Sequence, residues 1–165
     1  MPRYKFQVLA DCDCFFLHDG DFDYESVEPE DLWTRESSRT RLVVATGLIA
    51  VRTARHMYVP VEVEVLRDPP DEDLSRWDAV VESGILVPSG DLFVSSPTFS
   101  SDEGIKVAPG CYLARVYYGG LGTVTSGLEG EDHYKVALWP VFQYSVRILK
   151  RWQPAKRRRP ARGQG

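Results

Sequence analysis

Along residues 58–66, Val59, Val61, Val63 and Val65 alternate with Glu62 and Glu64, the period of two that belongs to a β-strand with one wet face. The same alternation runs through residues 4–10 and 133–139. It recurs in 111–118, where Tyr112, Ala114, Val116 and Tyr118 oppose Cys111, Leu113, Arg115 and Tyr117. Residues 85–95 bracket the turn Pro88-Ser89-Gly90, and residues 42–46 and 48–53 flank Gly47 as a hairpin or bulge. Residues 11–17 read as a continuation of the first strand. A last strand is expected over 141–149, with Phe142, Tyr144, Val146 and Ile148 on one face. Pro60 has no amide to donate, which assigns its strand to a strand end or sheet edge. A short helix is expected from Pro29 to about Arg39, with Leu32, Trp33 and Ser37 on one face. Residues 68–73 read as a turn and helix cap before Leu74. The pattern predicts an all-β fold, an antiparallel β-sandwich of about eight or nine strands with one or two short helices.

Composition adds size and setting. A chain of 165 residues with 43% hydrophobic and 27% charged residues is enough for one domain that buries roughly 70% of its unfolded surface. Residues 1–152 are expected to form that single β-sandwich domain and 153–165 a disordered basic tail. Cys12, Cys14 and Cys111 are odd in number and show no repeated spacing, and no apolar leader precedes the first strand. Both observations suit a reduced, cytoplasmic protein. No apolar run approaches the about 18 residues of a membrane helix, so no membrane partner is expected.

Charge is distributed unevenly. The net charge is −4, but Lys150, Arg151, Lys156, Arg157, Arg158, Arg159 and Arg162 sit at the end of the chain, leaving 13 basic against 24 acidic groups in residues 1–149. Residues 11–31 hold nine acids and no Lys or Arg. Such a body repels nucleic acid and attracts basic partners. Contact with nucleic acid is expected only through the tail, if at all.

Several motifs offer candidate chemistry. Asp19, Asp21, Asp23, Glu25 and Glu30 fall on the spacing of a calcium loop, but Tyr24 stands where that loop needs its glycine; the other reading is a solvated acidic loop. Cys12 and Cys14 share a face if they lie on a strand, and with His18 they would make three soft-metal ligands, against buried free cysteines as the plain reading. Asp132-His133 with Ser126 resembles a fragment of a catalytic triad, without a nucleophile elbow around it. The glycine-rich residues 119–127 lack the lysine and helix of a phosphate loop and read as an exposed, flexible hairpin tip. No cofactor is called for, and no catalytic residue is assigned.

Four blocks carry a resemblance: LADCDCFFLHDGD, LWTRESSRTRLVVATGLIAVRTARHMYVPVEVEV, WDAVVESGILVPSGDLFVSS and IKVAPGCYLARVYY, together most of residues 8–118. In order and content they resemble the competence protein J family, with Cys12-Asp13-Cys14 as a departure from its pattern. The resemblance implies a non-enzymatic protein that inhibits a nuclease.

The sequence therefore leads to a non-enzymatic protein-binding module, an inhibitor or immunity-type protein acting on a nuclease or other basic-cleft effector. Its expected contact residues are Asp13, Asp19, Asp21, Asp23, Glu25 and Glu28 for charge, with Phe22, Tyr24 and Trp33 for desolvated contacts. A calcium-dependent membrane- or ligand-binding sandwich using the same loop is the alternative, and a hydrolase the second alternative.

Overall fold

A computed structural model describes residues 2–23, 27–28, 33–101, 103–143 and 146–154. Two sheets pack face to face. One has six strands in the order β1-β5-β10-β9-β6-β11, formed by β1 (Arg3–Leu9), β5 (Tyr58–Val65), β10 (His133–Pro140), β9 (Gly110–Gly119), β6 (Ala79–Val87) and β11 (Arg147–Lys150). The other has five in the order β3-β4-β2-β7-β8, formed by β3 (Leu42–Ala45), β4 (Leu48–Arg52), β2 (Cys14–Asp19), β7 (Asp91–Ser95) and β8 (Ile105–Lys106). The all-β expectation holds, with eleven strands among the described residues where eight or nine were expected.

The core lies where the alternating residues meet. Phe15, Leu17, Ile49, Val51, Leu92 and Val94 of the smaller sheet face Val59, Val61, Val63, Val116, Tyr118 and Val136 of the larger one. Each such side chain removed from water contributes about 1.5–3 kcal/mol. Tyr118 and Tyr134 meet edge to face at 5.8 Å, and Phe15 meets Tyr134 at 5.7 Å.

Several local expectations are corrected. Residues 11–17 do not prolong β1, because Cys12 (φ 56°) and Asp13 (φ 57°) are left-handed and turn the chain from the larger sheet into the smaller. Pro88-Ser89-Gly90 likewise joins strands of different sheets. Pro60 is not at an edge: β5 lies between β1 and β10, but its pairing with β10 starts only at Val61, so no ladder bond is asked of the missing amide. The β5–β10 pair is parallel, the one such pair among the described strands. Helix α1 (Arg35–Thr40) lies in the later part of the expected helix and is capped by Thr34, whose hydroxyl accepts from the Ser37 amide in a reciprocal capping box, while Pro29 and Leu32 lie outside the described residues. Phe142 and Val146 are exposed, and among the described residues of the expected last strand the strand is Arg147–Lys150, while Tyr144 lies outside the described residues.

The β3–β4 hairpin turns at Gly47 (φ 76°) as the sequence indicates, and Asp73 caps the turn Leu74–Arg76 by accepting from the Ser75 amide. Trp152 packs against the main core with the Arg41 guanidinium 5.0 Å from its ring centre. Most of the tail, 155–165, lies outside the described residues.

Candidate functional site

Described residues of the acidic stretch around Phe22 and Val27 lie on the outer face of the smaller sheet. β2 turns Cys14 and Phe16 outward to join Leu48 and Ala50 in a second apolar cluster, and Phe22, Val27 and Trp33 pack onto it. Those apolar residues anchor a polar segment to a sheet that would otherwise show bare hydrocarbon to water. Trp33 is held further by the Arg52 guanidinium, 5.4 Å from its ring centre, and Arg52 Nη1 donates to the Ser38 hydroxyl (3.2 Å). Asp21, Asp23 and Glu28 are exposed along the segment.

The sequence-derived contact set divides on this scaffold. Asp21, Phe22, Asp23, Glu28 and Trp33 follow the same segment. Asp19 is buried: its Oδ1 accepts from the Ser89 amide (3.1 Å) and hydroxyl (2.6 Å), and its Oδ2 accepts from the Asp21 amide (3.1 Å). It fastens the end of β2 to the Pro88–Gly90 crossing and presents no charge to a partner. Asp13 is exposed but precedes β2, one strand length, roughly 20 Å, from Asp21. Tyr24, Glu25 and Glu30 lie outside the described residues.

The chemical alternatives fare as follows. Among the described residues no group of three or more His, Cys, Asp or Glu is placed to hold a metal ion, and Asp19 is already committed to three donors. Cys12 is exposed on the turn, Cys14 is buried with its thiol donating to the Asp11 carbonyl (3.6 Å), and His18 sits at the far end of β2, so the three do not converge. His18 stacks on Phe93 (5.8 Å); its Nδ1–H donates to the Asp19 carbonyl (2.9 Å) and Nε2 accepts from the Ser95 hydroxyl (3.0 Å). Burial lowers its pKa from 6.5, which favours that neutral form. The triad reading also dissolves. Asp132 points inward to Arg55 and accepts from the Tyr134 hydroxyl (2.6 Å), while exposed His133 donates from Nδ1 to the Glu131 carbonyl (3.1 Å).

A groove of about 550 Å³, which the sequence did not reveal, crosses the outer face of the larger sheet between β1, β5, β10 and the Leu74–Arg76 turn. Within it Lys135 meets Glu64 (3.2 Å) and Glu72 (3.4 Å), and Trp77 Nε1 donates to Glu72 (3.3 Å). Lys135 also lies 5.5 Å from the ring centre of Tyr117, whose hydroxyl burial pushes up to about 12.

No protein-family model and no curated protein matches the sequence. Solved structures do match. The crystal structure of ComJ, inhibitor of the DNA degrading activity of NucA, from Bacillus subtilis, superposes with a TM-score of 0.64 over 86% of this chain and 96% of ComJ, at 13% identity. This chain has the ComJ fold. A second structure, described as crocagin biosynthetic gene J, matches with a TM-score of 0.55 over 85% of this chain and 99% of that one, at 16% identity. The ComJ likeness covers most of each molecule and bears out at the level of fold the resemblance carried by residues 8–118.

Proposed function

We propose that this chain is a non-enzymatic protein-binding module of the inhibitor or immunity type, acting on a nuclease or another effector with a basic cleft. The observation that carries the reading is the near-complete structural likeness to ComJ, a protein described as an inhibitor of a DNA-degrading activity. Charge supports it independently: residues 1–149 hold 13 basic against 24 acidic groups, and a cleft built to attract phosphate attracts clustered carboxylates by the same field. The exposed Asp21, Asp23 and Glu28 belong to the acidic surface this reading uses, with Asp13 at the end of the sandwich. The setting is the cytoplasm, where Cys12, Cys14 and Cys111 stay reduced.

The test is DNA cleavage by NucA and a panel of small nucleases with phosphate-binding clefts, titrated with the full-length chain. Inhibition that saturates at a fixed stoichiometry supports the reading. Undiminished cleavage by every member, with no complex on size-exclusion chromatography, overturns it.

A further inference from the structure

Three connections meet at one end of the sandwich: residues 10–13 between β1 and β2, 53–57 between β4 and β5, and 120–132 between β9 and β10. Their backbones are fastened together. The Ala10 amide donates to the Met57 carbonyl (3.0 Å), the Thr53 amide to the Asp13 carbonyl (2.8 Å), the Cys12 amide to His56 Nδ1 (3.1 Å) and the His56 amide to the Gly127 carbonyl (2.9 Å). Beneath them the Tyr134 hydroxyl accepts from the Ala54 amide (2.8 Å) and donates to buried Asp132, tying the second connection to β10. A surface so braced meets a partner in the shape it already has, which reduces the ordering cost of association.

Two properties of this end point to an occupant. Met57 (39% exposed), Tyr58 (55%) and Leu128 (53%) are three of the seven exposed large hydrophobic side chains among the described residues, and the hydrogen bonds above bring their backbones into one region. Second, Arg55 is the sole Lys or Arg in residues 10–13, 53–58 and 120–132, and Asp132 draws it inward to 14% exposure. His56 is held against Asp11 at 3.2 Å. Outward charge is left to Asp13, Glu129 and Glu131, all exposed. Exposed apolar side chains beside exposed carboxylates, with no outward cation in the three connections, suit a protein interface whose partner is basic. In the segment over the smaller sheet the described aromatics, Phe22 and Trp33, are occupied in covering that sheet.

We infer that this end of the sandwich is the docking surface for the basic cleft of a protein partner, with Tyr58 and Leu128 as anchors and Asp13, Glu129 and Glu131 as the rim. The inference rests on the inhibitor reading and names the surface that performs it.

The experiment measures binding of the full-length chain, by surface plasmon resonance, to each nuclease that the cleavage panel finds inhibited. Tyr58→Ala/Leu128→Ala weakens binding at least about tenfold, mainly through faster dissociation. Asp13→Asn/Glu129→Gln/Glu131→Gln slows association and flattens its salt dependence. Phe142→Ala, which removes an exposed aromatic elsewhere, leaves both rates unchanged. Leu128→Glu, a change confined to the loop, is the second probe should the double variant melt early. Wild-type rates for the Tyr58/Leu128 and Leu128→Glu variants, with binding lost in Asp21→Asn/Asp23→Asn/Glu28→Gln, overturn the docking surface and leave the inhibitor reading standing. A wild-type chain that binds no nuclease, or that uses this end only to self-associate, overturns the docking surface too, and the former removes the inhibitor reading with it.

Discussion

Arg55 Nε lies 2.5 Å from Asp132 Oδ1, with the side chains 14% and 0% exposed, and the two atoms are not aligned as a hydrogen bond. The attraction is between charges, and it joins the β4–β5 connection to the start of β10. Removing one partner strands the other charge away from water. Arg55→Ala is expected to cost about 3–5 kcal/mol in urea denaturation, and Arg55→Met/Asp132→Leu markedly less. Equal losses in the two variants would contradict this account of the pair.

His18 gives the fold an acid sensitivity with a definite sign. Burial lowers its folded pKa below 6.5, so the unfolded chain binds the proton more readily. The stability linked to this group is complete above pH 6.5. It is lost as pH falls through 6.5 toward the depressed folded value. The melting temperature should drop over that interval, and the drop should be smaller in His18→Gln; a parallel profile for the two proteins would count against it.

The cysteines should differ sharply toward a thiol reagent. Cys12 is exposed, Cys111 is half-buried with its pKa raised by burial, and Cys14 is buried with its pKa pushed up to about 12 by burial first and by neighbouring Cys12 and the acids second. Only the thiolate reacts. Labelling followed by mass spectrometry is predicted to modify Cys12 first, Cys111 later and Cys14 only on unfolding.

Gly120 starts the long β9–β10 connection at φ 65°, and a Cβ there would lie 2.4 Å from the Glu131 carbonyl oxygen. Neither the dihedral nor the backbone contact yields cheaply. Gly120→Ala is expected to destabilise by about 1–3 kcal/mol, whereas Gly122→Ala, which meets no atom within 4 Å, should stay within about 0.5 kcal/mol. Thermal melts of the two variants decide it.

Period-two alternation made β5, β9 and β10 legible because each has one face on the main core, and Val59, Val61, Val63, Tyr112, Val116 and Val136 all lie there. What alternation does not encode is the partner. That β5 runs parallel to β10, and that the Pro88–Gly90 turn passes between sheets, depend on contacts made across the chain. The turn at Cys12 and Asp13 was hidden for another reason: left-handed backbone is most often announced by Gly, and here it is carried by Cys12 and Asp13. The glycine-rich stretch reads as a loose tip, yet Leu121 is buried, its amide donates to Asp78 (2.8 Å), and the Glu131 amide donates to the Thr123 hydroxyl (2.8 Å).

For the site, the sequence marks an acidic stretch mixed with aromatics but cannot separate charges that face water from one that the fold uses. Asp19 differs from Asp21 and Asp23 only in meeting Ser89, 70 positions away. Tyr58 and Leu128 escaped for a related reason. Each looks like an ordinary strand or loop residue until the connections at 53–57 and 120–132 are seen side by side.

The most direct measurement is a calorimetric titration of the full-length chain into NucA at about 50 mM and about 300 mM salt, conditions that differ severalfold in how well they screen exposed charge. A saturable complex that weakens at the higher salt, and weakens at both when Asp13, Glu129 and Glu131 are neutralised, is the predicted result. No heat of binding to NucA, repeated across the nuclease panel, or an affinity indifferent to both salt and carboxylate removal, would contradict the central claim.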